Sequence, residues 1–497
     1  MEMEFLKSTH AYMKKVLSQV CSNEQTQDIR LGEEMPEIGR IIACWGQPMI
    51  RSKEWRNGSV GASGGVVAWV LYESGNTAEV KSVQTWIPFQ WKWDLKDSSV
   101  DGQFELVPLL KSIDARVASA GKILVRATVN MQVNAYQADK METFLPADTP
   151  NDVQTLIHDY PCTIAVEAGE KVFSSEEELM LPQDFDLSEK MLYCRWNGKV
   201  SEKKIMTDKL VFHGYSDIHM LYKTLDGKVK SFDAQLPFSQ YAQLDKDYGP
   251  DASAQIQLIL TGMETDIADG KCMQRLTMAA QYLISDREMI SVCEDAYSTK
   301  RNAALEILQL QLPVLLDQRN DTMTHCLAFQ QNIVDPVDIC WMPDHTTERF
   351  LDGSVSLEQC GTLQLLYYDE EGKLHSAISN DDAALQIASA DKNSFCSYYE
   401  LSACNINRHG DPLQIEVKGS LSTDVHTISA IPVVTGIKLE EKRQESTARP
   451  SLILKRYHDL TLWELAKECG TTVDAIMRAN GLSQEPEESR MLLIPML

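Results

Sequence analysis

Along most of this chain apolar positions alternate with polar ones, and helical spacing is rare. The run Lys122-Ile-Leu-Val-Arg-Ala-Thr-Val-Asn-Met-Gln-Val133 alternates cleanly and predicts a half-buried antiparallel strand. Comparable runs, rich in β-branched and aromatic residues, are broken by Asp-Gly, Gly-Asn and Asn-Gly pairs, the chemistry of hairpin turns. Two stretches read differently. Residues 1–20, with Phe5, Tyr12, Val16 and Val20, and residues 150–158 predict short helices. The fold class expected is mainly β.

The last forty-odd residues have a pattern of their own. Leu452 to Leu454 predicts a strand. Thr461 and Glu464 form a capping box, in which hydroxyl and carboxylate satisfy orphan amides of a helix start. Leu462, Leu465, Ala466 and Cys469 then make one buried stripe, and Gly470 supplies a left-handed stop. Thr471 and Thr472 open a second helix with Val473, Ile476 and Met477 inward. Asn480-Gly481 ends it, and Met491 to Ile494 predicts a closing strand before Pro495. The order is strand, helix, helix, strand.

Between these ends one cassette recurs at a period of about 150 residues. Its first copy is Gly64 to Tyr72, a turn at Gly75, and Val80 to Phe89 ending Ile-Pro-Phe. The second is Ile218 to Tyr222, Asp226-Gly227, and Val229 to Phe238 ending Leu-Pro-Phe. The third is Leu363 to Tyr367, Gly372, and Leu374 to Ile378, without the Pro-Phe. Cys44, Cys194 and Cys340 keep step, as do Gly121-Lys122, Gly270-Lys271 and Gly410-Asp411. Three tandem sandwich- or barrel-like repeats follow: residues 25–158, 159–303 and a degenerate third at 304–437. A helical segment (1–24) precedes them. A charged, aperiodic linker (438–450) lets the terminal module (451–497) move relative to the body.

Composition narrows the function. The chain of 497 residues carries 47 Lys plus Arg against 72 Asp plus Glu, a balance of −25. Such a surface disfavours nucleic acid and anionic lipid, whose binding depends on basic side chains. The twelve cysteines include no C-x-x-C pair, so buried reduced thiols are expected, without a zinc ribbon or redox motif. No apolar run reaches the roughly 18 residues of a membrane span. The start MEMEFLKSTHAYMKKVLSQV lacks a signal-peptide core, so the expected location is cytoplasmic.

Candidate chemistry is sparse. His213, Asp217 and His219 share strand parity like metal ligands, but an exposed polar strand face explains them as well, and no metal or cofactor is expected. Gly61-Ala-Ser-Gly-Gly65 lacks the Lys-Ser/Thr of a phosphate loop and reads as a turn. A wall hydrolase would need two converging acids, which abundance alone does not supply. Trp86, Phe89, Trp91 and Trp93 form an aromatic knot that is either core or protein-binding patch. Trp463 reads as core of the terminal module. No enzyme activity is expected.

Residues 461–467 (TLWELAK), 479–482 (ANGL) and 492–495 (LLIP) together resemble a LysM module. The resemblance implies binding of N-acetylglucosamine glycans, peptidoglycan or chitin, in a groove between two loops. Asp459, Leu460, Thr461, Leu462 and Trp463 would form or support one wall. Asn480, Gly481 and Leu482 lead into the other, which here carries Glu485, Glu487 and Glu488. The family's Gly-Asp-Thr-Leu-Trp is displaced to Asp459-Leu460-Thr461-Leu462-Trp463. The cassette, with Asp295-Ala-Tyr-Ser-Thr-Lys300 matching a D-x-Y-S-T-K element, is similar to the SPOCS domain. Tandem SPOCS domains followed by LysM resemble the SipL-like family of spore-coat morphogenetic proteins. That likeness implies a sporulation scaffold in the mother-cell cytosol, peripheral at the forespore surface, whose LysM domain contacts a coat morphogenetic ATPase. The alternative is glycan binding.

Overall fold

Each long alternating run becomes half of a β-ribbon, and three ribbons set the architecture of the computed structural model. It describes residues 2–56, 58–77, 79–95, 101–188, 191–268, 270–331, 333–351, 354–388, 393–407, 413–442, 451–458, 460–486 and 489–496. After β1 (Glu2–Met3), a first unit runs β2 (Phe5–Arg30), β3 (Ile38–Arg56), β4 (Ser59–Ser74), β5 (Val80–Asp94), β6 (Gln103–Ser119) and β7 (Lys122–Pro146). The second runs β8 (Val153–Met180), β9 (Tyr193–Met206), β10 (Lys209–Lys223), β11 (Val229–Gln243), β12 (Ser253–Ala268) and β13 (Lys271–Ser298). The third runs β14 (Arg301–Phe329), β15 (Asp335–Pro343), β16 (Thr347–Leu351), β17 (Ser354–Tyr368), β18 (Leu374–Ala388), β19 (Asn393–Asn407) and β20 (Leu413–Lys442). The C-terminal module is β21 (Leu452–Tyr457), α1 (Leu462–Cys469), α2 (Val473–Asn480) and β22 (Arg490–Pro495).

The three units are wired alike. In each, a meander of antiparallel strands forms one sheet: β3-β4-β5, β9-β10-β11, and β17 between β18 and the β15/β16 pair. In each, the long first strand pairs with the last, and the penultimate strand joins that last strand: β2-β7-β6, β8-β13-β12 and β14-β20-β19. The same wiring thus recurs three times in the hydrogen bonding, in units that open at β2, β8 and β14.

Two expected helices are strands. Residues 5–30 pair with β7 from Phe5 opposite Pro146 to Arg30 opposite Lys122, and Val153 to Ser174 pair with β13. Residues 5–20 are mostly exposed on both faces. They show no two-residue alternation, and pairing with a distant strand overrides local spacing. Gly61 to Gly65 is likewise not a turn but part of β4. A Cβ on Gly64 would sit 2.1 Å from the Met49 carbonyl beneath the Phe89 ring, and one on Gly214 would sit 2.0 Å from the Lys199 carbonyl beneath Phe238. The same close approach explains glycine at the same place in both units.

The meanders close on one another in a ring. Units one and two meet where Ser82 Oγ donates to the Leu192 carbonyl (2.5 Å) and Lys223 pairs with Glu79 (2.5 Å). Units two and three meet where Arg195 donates to the Ile339 carbonyl and Val229 N–H to Tyr368 Oη (2.7 Å). Units three and one meet where Arg40 donates to the Leu374 carbonyl (2.7 Å) and Ser376 to the Ile42 carbonyl (2.5 Å). One apolar core runs through all three, with Trp45, Tyr72, Tyr193, Leu221 and Leu366 buried in it. Cys44, Cys194 and Cys340 are buried free thiols. Burial pushes Cys194 up to about 12.

Away from the ring the ribbons pack together around Met141, Cys162, Ile164, Ile290, Leu312 and Val433, drawn from all three units. Near the tip, β1 pairs with β20. There Asp152, just before β8, holds the β13–β14 corner. Its carboxylate accepts from Ser298 Oγ (2.7 Å), Arg301 Nε (2.7 Å) and Arg301 Nη2 (2.6 Å), and its carbonyl from Thr299 N–H (2.7 Å). The Arg301 bond is the main cause holding this carboxyl below its ordinary value. Asp152→Ala is expected to lower stability by about 2 kcal/mol, read as an earlier urea midpoint with an unchanged slope.

Candidate functional site

The C-terminal module is built by its caps. Thr461 Oγ1 accepts from Glu464 N–H (3.1 Å), and Thr461 N–H donates to Glu464 Oε2 (2.7 Å), completing the capping box. Gly470 and Gly481 end the helices at φ 65° and 63°, a conformation glycine adopts without strain. Leu462, Leu465, Ala466, Ile476, Leu492 and Ile494 fill the core between the helices and the β21–β22 pair.

Most residues expected to line a glycan groove do structural work. Asp459 lies outside the described residues, as do Glu487 and Glu488. Thr461 caps α1, Leu462 is core, and Gly481 caps α2. Asn480 Nδ2 donates to the Ile476 (2.8 Å) and Leu493 (2.7 Å) carbonyls, and its Oδ1 accepts from Leu493 N–H (2.8 Å). It fastens α2 to β22. Leu482 packs against the core, and Leu460 is exposed.

The groove itself is bridged. Glu485 Oε1, from the loop after α2, accepts from Leu462 N–H (2.5 Å) and Tyr457 Oη (3.1 Å). One carboxylate thus ties together the two loops between which a sugar would lie. It also occupies an amide at the start of α1, a natural seat for a hydrogen-bonding ligand.

Trp463 is half-buried, and its indole turns to the body. Nε1–H donates to Asp295 Oδ2 (2.8 Å), and Lys467 Nζ reaches both Asp295 oxygens at 2.7 Å. Tyr297 meets the Trp463 ring edge-on at 4.9 Å and donates through Oη to the Thr471 carbonyl (2.8 Å). The module is therefore seated on β13 and does not stand off the body. The expected linker falls mostly on 443–450, outside the described residues. Lys467 and Thr471 carried no signal that pointed to this role. Asp295 and Tyr297 were visible only as part of a motif.

One face of the module stays open. Leu452, Leu454, Met491 and Leu493 are between 38% and 58% exposed. They lie on the paired strands, Leu454 opposite Leu493.

Elsewhere, His219 faces two carboxylates, Asp233 (2.6 Å) and Asp338 (2.8 Å), while His213 is exposed and Asp217 accepts from Gln235. Phe89, Trp91 and Trp93 are buried in the shared core, and Trp86 lies half-buried under Arg51, 4.5 Å from its ring. The aromatic knot is core, with Trp86 at its rim. Among the described residues no group of His, Cys, Asp and Glu forms a metal cluster, and no helix is long and apolar enough to cross a membrane.

Residues 189–268 match the family model described as SipL, SPOCS domain, and residues 459–485 match the model described as LysM domain. The chain thus carries a SPOCS domain of the kind found in SipL and a C-terminal LysM domain. The SPOCS match spans the meander of the second unit and all of β12. The LysM match spans both helices and the loop after α2 as far as Glu485. Comparison with curated proteins and with solved structures returns no match.

Proposed function

We propose that the chain is a non-enzymatic scaffold of spore-envelope assembly that docks through its LysM domain onto a protein, a coat morphogenetic ATPase at the forespore surface, from the mother-cell cytosol. The observation that carries this reading is Glu485: its bonds to Leu462 N–H and Tyr457 Oη tie together the two loops that the LysM resemblance makes the walls of a sugar groove. The open apolar face of Leu452, Leu454, Met491 and Leu493 suits a protein partner, since a contiguous exposed apolar patch marks an interaction site. Both matched domains are of non-catalytic kinds. Three linked units also offer several weak contacts on one chain, which raises avidity.

The second reading is binding of peptidoglycan or chitin, favoured by a LysM match that takes in both helices and the loop after α2 as far as Glu485. Two binding assays on the full chain separate the readings: insoluble peptidoglycan, and the purified coat ATPase. Binding of the ATPase that falls about tenfold or more in Leu454→Glu, with no retention on glycan, supports the scaffold. Retention on glycan, with the ATPase ignored, supports the alternative.

A further inference from the structure

The α1 face of the LysM domain already holds a ligand, and that ligand belongs to the same chain. Asp295 and Tyr297 stand two apart on β13, so both side chains leave the strand on one face. Each meets a different kind of partner. The carboxylate takes the Trp463 indole N–H and the Lys467 ammonium. The phenol takes the Thr471 carbonyl while its ring lies against Trp463. Tyr297 is 5% exposed and is the body residue counted within the apolar cluster of the LysM core. An exposed ion pair alone would hold little. An indole hydrogen bond, a buried phenol and an aromatic edge contact at the same spot add directional and apolar terms.

We propose that the LysM face formed by Trp463, Lys467 and the Thr471 carbonyl is a docking surface for an acidic–aromatic Asp-x-Tyr segment, occupied in cis by Asp295 and Tyr297. An outside segment of the same chemistry must displace the second unit to reach it. While the closed form predominates, the apparent affinity of such a segment falls by the fraction of molecules that are open. The LysM domain then exists in a seated form and a released form, and the β13 tip sets the balance. This takes from the previous reading only that the domain acts by docking. Failure to bind the ATPase would leave the measurements below unaffected, and their failure would leave ATPase binding unaffected.

The test uses the full chain with two readouts: amide hydrogen exchange over Leu462–Thr471, and binding of a fluorescent peptide with the sequence of residues 294–301. Asp295→Ala is expected to speed exchange across α1 and to raise peptide affinity about tenfold over the native chain. Lys467→Glu is expected to speed exchange equally but to bind no peptide, since it removes the cation from the docking face. Asp295→Asn, whose amide oxygen still accepts from the Trp463 indole, is expected to speed exchange less than Asp295→Ala, a graded response that a merely loosened β13 would not give. Equal peptide affinity in the native and Asp295→Ala chains, or unchanged exchange in both Asp295→Ala and Lys467→Glu, or Asp295→Asn and Asp295→Ala exchanging alike, would overturn the proposal.

Discussion

Trp45→Ala is expected to destabilise the chain by about 3–5 kcal/mol, the range for truncating a buried large aromatic side chain. Trp45 is 1% exposed and lies at the junction of the units. Its ring stacks on Tyr193 of the second unit at 4.8 Å and 18°, and Tyr193 is met edge-on by Trp69 at 5.3 Å. The hydroxyl of Tyr193 in turn lies 4.0 Å from the Cys340 sulfur of the third. A void at Trp45 would therefore be felt by all three. Trp45→Phe is expected to cost less, about 1–2 kcal/mol, because the indole Nε1 is buried without a hydrogen-bond partner and its loss removes an unsatisfied donor. Urea unfolding followed by far-ultraviolet circular dichroism is the measurement. A shared core requires one cooperative transition that shifts as a whole. A variant in which only part of the signal moves would show that the units fold as separate beads.

How much of this was legible depended on whether the determining contact was local. The caps of α1 and α2 could be read because Thr461, Glu464, Gly470 and Gly481 act within a few residues of the amides they satisfy. The meanders could be read because one face is buried, so Ile87, Phe89, Trp91 and Trp93 alternate with exposed neighbours. The first strand of each ribbon could not. Residues 5–20 are mostly exposed on both faces, and their partner lies more than a hundred residues away in β7. Of the LysM surface, the sequence placed Glu485 on a groove wall but gave no sign that its carboxylate crosses to Leu462 N–H. Contact between Trp463 and Asp295, 168 residues apart, was beyond any local pattern. The aromatic that looked like module core packs against that core and is also the point where the module meets the body.

Asp338→Ala is expected to be as damaging as the loss of Trp45, at about 3–5 kcal/mol, because it removes the buried anion that faces Arg195 and His219 and leaves His219 only Asp233. The Asp338 side chain is 1% exposed at the seam between the second and third units. Its Oδ1 lies 2.8 Å from His219 Nε2 and 3.9 Å from Arg195 Nη2, while His219 Nδ1 pairs with Asp233 at 2.6 Å. Tyr193 also borders the cluster, and burial pushes its phenol up, so it stays neutral. Burial opposes the charged imidazolium, but the bonds to Asp233 and Asp338 outweigh it and raise the His219 pKa. Burial likewise opposes the Asp338 carboxylate, and the His219 bond and the Arg195 charge outweigh it and lower that pKa. The sign then follows from linkage. A raised histidine gives its full stabilisation below its unfolded value of about 6.5 and loses it as pH climbs through the folded value. A lowered aspartate gives its stabilisation above about 3.9 and loses it as pH falls toward the folded value. The seam is thus strongest between roughly pH 4 and 6.5. The urea midpoint is expected to fall from pH 6 to pH 8 in the native chain, and this component of the slope is expected to vanish in His219→Gln. An identical slope in both chains would mean that the imidazole is neutral in the fold, and that Arg195 alone balances Asp338.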